Sequence, residues 1–330
     1  MSTGKISNDK SYQRQLFIKR YGIVFVMIGM ILLLTVITEN FLSYNNILNV
    51  LSTISINGCI ALGMCIVITA GGIDLTVGAL LAWGSVVAGL VLKSTHSIPL
   101  ACVIALVTCA VMGVVTGLMI AQFDLFPFVA TLAMQLVIRG LATALSGGAS
   151  FPVAVSAFTK IGLGKVFGVV PIPALILLVL AVIAYILMHW TKFGRYVYAI
   201  GGNRDAAIAS GVNVYWVTVW TYVISGIFTG VAALIMTAKI NASQPNIGTG
   251  YETDAIAACV IGGTSFAGGV STIPGTVVGI IIIGLIYNGM NLLGVESYWQ
   301  TVCKGVLIVL AVLLDKAMNK IGRASCRERG

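Results

Sequence analysis

Four ionisable side chains lie within or beside long apolar runs, where a charge needs a partner. Arg139 and Lys304 fall inside such runs, and Asp74 and Asp254 lie at the predicted ends of two helices. Because charges at membrane depth are costly, they face the interior of a helix bundle or a water-filled path. Two roles stay open for them: interhelical pairing of Arg139 or Lys304 with Asp74 or Asp254, or direct participation in a solute pathway.

Four uncharged amide side chains lie in the same apolar surroundings and offer both hydrogen-bond donors and acceptors. They are Asn57, Gln135, Asn288 and Asn291. Such groups suit the hydroxyls of a polyhydroxyl solute, and they equally join neighbouring helices. The sequence does not choose between these two roles.

The chain has no residue pattern typical of an enzyme. His96 and His189 stand far apart near predicted helix ends, so a histidine-based metal site or catalytic triad is unsupported. The cysteines of the apolar runs lack metal-ligand spacing and are interpreted as small core residues. No Gly-x-x-x-x-Gly-Lys-Ser/Thr motif is present. We therefore predict no catalytic residue, no metal site and no cofactor in this chain.

The elements that must position these side chains are membrane-spanning helices. Of the 330 residues, 58% are hydrophobic and 9% are charged, against about 25% charged in soluble domains. A spanning helix needs about 20 apolar residues. Apolar runs cover about residues 21–38, 47–70, 76–92, 99–122, 126–146, 171–190, 213–238, 252–263, 272–294 and 298–315. The sequence predicts an all-α, polytopic membrane helix bundle of about ten transmembrane helices. The short run 252–263 leaves eight or nine helices plus a re-entrant segment as the alternative.

The distribution of basic residues predicts that both termini lie in the cytoplasm. Four lysines fall in segments predicted to lie outside, namely Lys93, Lys160, Lys165 and Lys239. Ten basic residues fall in segments predicted to lie inside: Lys5, Lys10, Arg14, Lys19, Arg20, Lys192, Arg195, Arg204, Lys316 and Lys320. Because the basic residues flank apolar runs, the net charge of +9 is interpreted as membrane topology and not as nucleic-acid binding.

Three parts of the chain are distinguished by composition. Residues 1–20 form a polar and basic cytoplasmic N-terminal segment, and residues 21–320 form the transmembrane domain. Residues 321–330 are interpreted as translated adapter or vector DNA and are set aside from fold reasoning, with a genuine short basic tail as the alternative.

The main predicted inner loop, residues 191–212, contains the signature of a short capped helix. Asn203 suits the N-cap position, and Asp205 places a favourable negative charge in the first turn. Ala206 and Ala207 are compatible with a helix, and Gly211 can end it. A mere connector is the alternative; a cytoplasmic helix of this size suits docking better than catalysis.

Several separated motifs, in order along the chain, resemble one family. They are Gly71-Gly72-Ile73-Asp74-Leu75-Thr76-Val77-Gly78, Phe128-Val129-Ala130-Thr131-Leu132, Gly194-Arg195-Tyr196-Val197-Tyr198-Ala199-Ile200-Gly201-Gly202-Asn203, Gly250-Tyr251-Glu252-Thr253-Asp254-Ala255-Ile256-Ala257-Ala258, Gly262-Gly263-Thr264-Ser265-Phe266-Ala267-Gly268-Gly269 and Asn288-Gly289-Met290-Asn291-Leu292-Leu293-Gly294-Val295. From about residue 40 to 316, the chain resembles the permease subunits of bacterial ABC importers for monosaccharides. The ribose type is the most similar, with the galactose/methylgalactoside type related.

The resemblance implies partners that the chain itself does not contain. It implies a dimer of permeases in the bacterial cytoplasmic membrane, a cytoplasmic ATPase subunit that binds ATP, and an extracytoplasmic sugar-binding protein. Asp205-Ala206-Ala207 followed by Gly211 is similar to the Glu-Ala-Ala-x-x-x-Gly coupling loop of ABC importers. Aspartate replaces glutamate here, which puts in doubt any contact that needs the longer side chain.

These observations favour a transmembrane subunit of an ATP-driven sugar importer, with ribose as the expected sugar. The alternative is an ATP-independent secondary carrier or channel for a small polar solute. No chain of carboxylates runs through the predicted helices, which argues against a proton-coupled carrier. A membrane enzyme is less favoured still, and the sequence does not separate ribose from related sugars.

Overall fold

The computed structural model describes residues 10–153 and 155–306, together with residues 309 and 313. The helices run over α1 Lys10–Ile37, α2 Tyr44–Thr69, α3 Val77–Thr95, α4 Ile98–Phe123, α5 Pro127–Ser146, α6 Thr159–Leu163, α7 Ile172–Trp190, α8 Lys192–Gly202, α9 Arg204–Ala209, α10 Val214–Ile240, α11 Tyr251–Ile261 and α12 Ile273–Leu292. Residues 297–306 are also helical. Residues 1–9 of the predicted N-terminal segment and the predicted foreign tail 321–330 lie outside the described residues.

The described strands are short and form two pairs. β1 (Phe151–Pro152) pairs antiparallel with β4 (Ala242–Ser243). β2 (Lys165–Val166) pairs antiparallel with β3 (Val170–Pro171) in a small hairpin. The first pair ties the segment after α5 to the end of α10. The described fold is therefore mainly helical, with strands confined to connections between helices.

The described residues contain seven helices long and apolar enough to cross a membrane, which are α2, α3, α4, α5, α7, α10 and α12. The apolar part of α1, Ile23–Ile37, is shorter. α11 has 11 residues, too few for a full span of about 30 Å at 1.5 Å per residue. Each predicted apolar run contains a helix wherever the structure describes it. The prediction of a polytopic membrane helix bundle is confirmed.

α2 is the central helix of the bundle. Its most apolar window is 83% buried inside the protein, and it packs against α7, α10, α11 and α12. By contrast, the corresponding windows of α4, α5 and α7 are only 22–28% buried and carry many exposed large apolar side chains. Helices that are apolar on every side suit either a protein interior or lipid. α2 lies in the protein interior, whereas the peripheral helices α4, α5 and α7 present apolar surfaces suited to lipid.

Small residues allow α4 and α10 to pack closely. A Cβ atom on Gly113 would lie 2.5 Å from the carbonyl oxygen of Tyr222, and one on Gly117 would lie 2.8 Å from the Cα of Val219. Because helices in lipid associate largely through close packing, glycine at such positions is typical of membrane interfaces.

We predict that Gly113→Leu destabilises the protein, since the added side chain has to push α10 away from α4. Overpacking of this kind costs about 1–3 kcal/mol. The midpoint of thermal unfolding in detergent should therefore fall by several degrees. The matched control is Gly140→Leu, at a helical glycine of α5 where an added Cβ atom would meet nothing within 4 Å. Equal midpoints for the two variants would contradict the proposed packing.

Candidate functional site

A cleft lies between α2 and α12, with about 410 Å³ of space that includes the solvent at its open side. Its apolar lining consists of Val50, Ile54, Ile280 and Gly284. Its polar lining consists of Asn49, Thr53 and Asn57 from α2 and of Tyr287, Asn288 and Asn291 from α12. Three of the eight polar residues singled out in the sequence, Asn57, Asn288 and Asn291, are thus brought together.

The polar residues of α2 form a stripe along one face, because residues four apart lie above one another on a helix. Asn49 and Thr53 are exposed, whereas Asn57 is only 8% exposed. The cleft therefore runs from an open, polar side to a buried end at Asn57.

α12 approaches α2 closely beside this stripe. A Cβ atom on Gly284 would lie 2.7 Å from Cδ1 of Ile54, so no larger residue fits without movement. Ile54 is buried. The contact between Gly284 and Ile54 sets the separation of the two helices that form the cleft.

Asn57 differs from the other amides of the cleft in having an acceptor that is both buried and unpaired. Its Oδ1 atom is buried and has no hydrogen-bond partner among the described residues. A buried polar atom left unpaired costs roughly 1–3 kcal/mol. This oxygen is therefore available to a hydroxyl or amide donor that enters the cleft.

Asn288 and Asn291 are held by neighbouring residues. Asn46 Nδ2 donates to Asn288 Oδ1 at 3.1 Å, and Asn288 Nδ2 donates back to Asn46 Oδ1 at 2.7 Å. Gln300 Nε2 donates to Asn291 Oδ1 at 2.8 Å. These amides join helices as well as lining the cleft, so the two roles left open by the sequence coexist.

A lysine from a third helix reaches the open side of the cleft. Lys239, near the end of α10, donates from Nζ to Thr53 Oγ1 at 2.7 Å. The cleft lining thus combines hydroxyl and amide groups, with one ammonium group bound to Thr53 beside it. Such a set binds neutral polar molecules rich in hydroxyls, whose oxygens both donate and accept hydrogen bonds.

Asp254 and Lys304 form a buried ion pair next to the cleft. Lys304 Nζ lies 2.9 Å from Asp254 Oδ2, and the Lys304 and Asp254 side chains are 24% and 3% exposed. Tyr287 Oη donates to the other carboxylate oxygen, Asp254 Oδ1, at 2.7 Å. This pair is one of the interhelical pairings considered from the sequence.

Arg139 and Asp74 do not form an ion pair with each other or with the other two charges. Arg139 Nη1 donates to the backbone carbonyls of Pro245 and Ile247 at 2.9 and 2.6 Å. The irregular backbone that precedes α11 brings these carbonyls to the guanidinium group, and carbonyl dipoles replace the expected carboxylate. Gln135 lies half-buried on α5, one turn before Arg139, and is not part of the cleft lining.

Asp74 is bound by hydroxyl and amide donors and not by a cation. Its Oδ1 accepts from the backbone N–H of Thr76 at 3.0 Å and from Thr76 Oγ1 at 2.5 Å. Its Oδ2 accepts from Ser225 Oγ at 2.7 Å, which connects the segment before α3 to α10. Five of the eight polar candidates therefore lie outside the cleft lining: Asp74, Gln135 and Arg139, and also Asp254 and Lys304, which are next to it.

The short helix predicted in the inner loop is confirmed as α9. Asn203 Oδ1 accepts from the N–H of Ala206 at 3.0 Å, and Asp205 lies in the first turn. Gly211 has φ +80°, and its N–H donates to the Ile208 carbonyl at 2.9 Å. A left-handed residue of this kind ends a helix. The preceding helix α8, which the sequence pattern did not predict, begins at a Thr191 cap.

α9 presents both apolar and charged groups at the surface. Ala207 is buried against the bundle, whereas Ile208 is 54% exposed. Arg204 Nη1 forms an ion pair of 2.8 Å with Asp124, at the turn between α4 and α5. Both side chains of that pair are exposed, so its contribution to stability is at most about 1 kcal/mol.

Sequence reasoning missed three residues of the cleft region. Asn49 and Thr53 carried a usable signal, because together with Asn57 they recur every four residues in an apolar run. Tyr287 carried no such signal. Its importance depends on the contact with Asp254, which is 33 residues away in the sequence.

The family described as "Branched-chain amino acid transport system / permease component" matches residues 46–312. The chain is 38% identical over 319 residues to the ribose import permease protein of Escherichia coli K12, covering 96% of this chain and 99% of that protein. It is 43% identical over 290 residues to the ribose import permease protein of Bacillus subtilis strain 168, covering 87% and 89%. It is 35% identical over 316 residues to the D-allose transport system permease protein of Escherichia coli K12, covering 95% and 97%. No solved structure matches the chain.

The matched region contains the helices that form the cleft, the inner helices α8 and α9, and all seven candidate membrane spans except the first two residues of α2. The chain is a multi-pass membrane protein that belongs to the family of branched-chain amino acid transport system permease components.

Proposed function

We propose that the chain is the transmembrane subunit of an ATP-driven importer for a monosaccharide, with ribose as the expected sugar. The observation that carries this proposal is the polar cleft between α2 and α12, whose buried end holds the unpartnered Asn57 Oδ1. The ribose and allose permeases named above, similar to this chain over most of its length, support the choice of a monosaccharide.

The side chains of the cleft suit a transport path, because a transported sugar has to dissociate from each contact that it makes. Its donors and acceptors are mainly neutral amides and hydroxyls, so each contact with a sugar hydroxyl contributes only about 0.5–1.5 kcal/mol. Weak contacts of this kind compensate a hydroxyl for lost water without trapping the sugar. An extracytoplasmic sugar-binding protein then supplies most of the affinity and selectivity.

The open side of the cleft supports a homodimer. Asn49 and Thr53 are exposed although α2 is one of the most apolar helices, and lipid is an unfavourable environment for polar side chains. A second copy of the chain, facing the first across this side, would enclose an aqueous path between the two α2 helices.

We further propose ten membrane crossings with both termini in the cytoplasm. α11, which is too short for a full span, would cross together with the irregular segment that precedes it, and the helix that begins at 297 would contribute the last crossing. This arrangement places α8 and α9 inside and the β2–β3 hairpin outside. α9 would then dock on the cytoplasmic ATPase, which binds the ATP, through Asp205, Ala206 and the exposed Ile208.

We predict that Asn57→Leu slows sugar uptake without destabilising the chain. Leucine removes an acceptor that has no partner in the described structure, so the melting temperature should be unchanged or higher. Loss of one hydrogen bond to the sugar, about 1 kcal/mol, should lower uptake at limiting sugar roughly fivefold. Uptake would be measured with the assembled transporter in proteoliposomes.

The matched control is Thr229→Val, which removes another buried and unpartnered oxygen, outside the cleft lining. Uptake by this variant should equal that of the parent. If Asn57→Leu and Thr229→Val transport sugar equally well, the cleft is not the sugar path.

We predict that Ile208→Asp weakens association with the ATPase subunit. The substitution places a charge on the exposed apolar surface of α9 while leaving the buried Ala207 in place. Copurification of the ATPase should fall several-fold, with unchanged yield of the membrane subunit. Leu163→Asp, at an exposed leucine of the short helix α6, is the control and should leave copurification intact. Equal copurification with both variants would rule out α9 as the docking helix.

A further inference from the structure

Three helical segments meet at one buried carboxylate beside the cleft. Asp254 comes from the first turn of α11, Tyr287 from α12 and Lys304 from the helical residues 297–306. Tyr287 and Lys304 bind different oxygens of Asp254, at 2.7 and 2.9 Å. Lys304 Nζ also lies 4.9 Å from the centre of the Tyr287 ring, a distance suited to a cation–π contact.

Tyr287 has two roles in this arrangement. Its side chain lines the cleft, while its hydroxyl points to the ion pair and donates to Asp254. The hydroxyl therefore fixes the direction of the ring. Because a tyrosine ring is the largest side chain of the cleft lining, its direction decides how much of the cleft stays open.

We propose that the Asp254–Lys304 pair positions Tyr287, and that the tethered Tyr287 ring keeps the cleft open to a polyhydroxyl solute. Asp254 and Lys304 are positioning residues, and Tyr287 is the residue that they control. The inference that the Tyr287 ring controls sugar passage rests on the proposed function. The inference that the ion pair positions the ring does not depend on it.

The unpaired oxygen in the cleft explains why the Tyr287 ring has to be held in place. When Asp254 is removed, the Tyr287 hydroxyl loses its acceptor, and the unpartnered Asn57 Oδ1 lines the same cleft. A hydrogen bond from Tyr287 to Asn57 would satisfy both groups and place the ring across the cleft. Removal of the Tyr287 hydroxyl should abolish this closure, because a phenylalanine ring has no reason to approach Asn57.

Solvent access to the cleft can be measured with a cysteine in place of Thr53. This residue lines the cleft and is exposed in the described structure. The rate at which a charged, water-soluble methanethiosulfonate reagent modifies the new cysteine reports whether the cleft is open. The parent chain without Thr53→Cys gives the background from the natural cysteines.

In the Thr53→Cys background, we expect Asp254→Ala to slow modification several-fold. Tyr287→Phe alone, and Tyr287→Phe combined with Asp254→Ala, should react at nearly the rate of Thr53→Cys alone. Asp254→Asn keeps an oxygen that accepts from Tyr287 and should also react at nearly that rate. An unchanged or faster rate in Asp254→Ala would overturn the proposal, and so would equal slowing by Asp254→Ala with and without the Tyr287 hydroxyl.

Asp254→Ala leaves the Lys304 charge without its partner, which can prevent folding. A second variant therefore removes both charges of the pair. Asp254→Leu with Lys304→Met replaces both charges by apolar groups, a change that buried pairs often tolerate. Modification should again slow with Tyr287 and recover with Tyr287→Phe. Because the assay uses neither ATP nor sugar, its result is independent of uptake: failed uptake with the expected modification rates would count against the proposed function alone.

Discussion

An unpaired polar group at membrane depth is unfavourable, and this constraint accounts for the position of nearly every polar side chain discussed above. Asp74 is bound by hydroxyl and amide donors, Arg139 by two backbone carbonyls, and Asp254 by a tyrosine and a lysine. Among the described residues, four buried side-chain atoms depart from this rule, and Asn57 Oδ1 is the one of the four that lines the polar cleft. This position, together with the missing partner, gives it functional meaning.

The central position of α2 connects the parts of the protein. One face of α2 packs into the core against α7, α10 and α11, and another carries the polar stripe that lines the cleft with α12. At the end of α2, the carbonyl of Thr69 accepts from the N–H of Gly269, close to Gly201 at the end of α8. The helix that forms the cleft is therefore in direct contact with the segment that carries the proposed docking helix α9. A displacement of α8 and α9 by a partner would reach α2 through these contacts.

The sequence was sufficient for the long apolar helices and for α9, and insufficient for α8 and for most side-chain partners. Long apolar runs define helices through a strong local signal, and the cap at Asn203 with the stop at Gly211 is equally local. Pairing depends on contacts between distant segments, so Asp254 with Lys304 was one option among several. The carbonyl partners of Arg139 were not foreseeable, because an irregular backbone segment supplies them. The hydrogen bond from Tyr287 of α12 to Asp254 of α11 could not be predicted either, because it depends on how these two helices pack against each other.

The most direct test of this account is uptake of radiolabelled ribose into proteoliposomes that contain the chain, with and without its ATPase and sugar-binding partners. Galactose and allose would be measured in parallel. The account predicts uptake that requires ATP and both partners and that falls with Asn57→Leu. Uptake by the chain alone, independent of ATP, would contradict it and establish a carrier or channel.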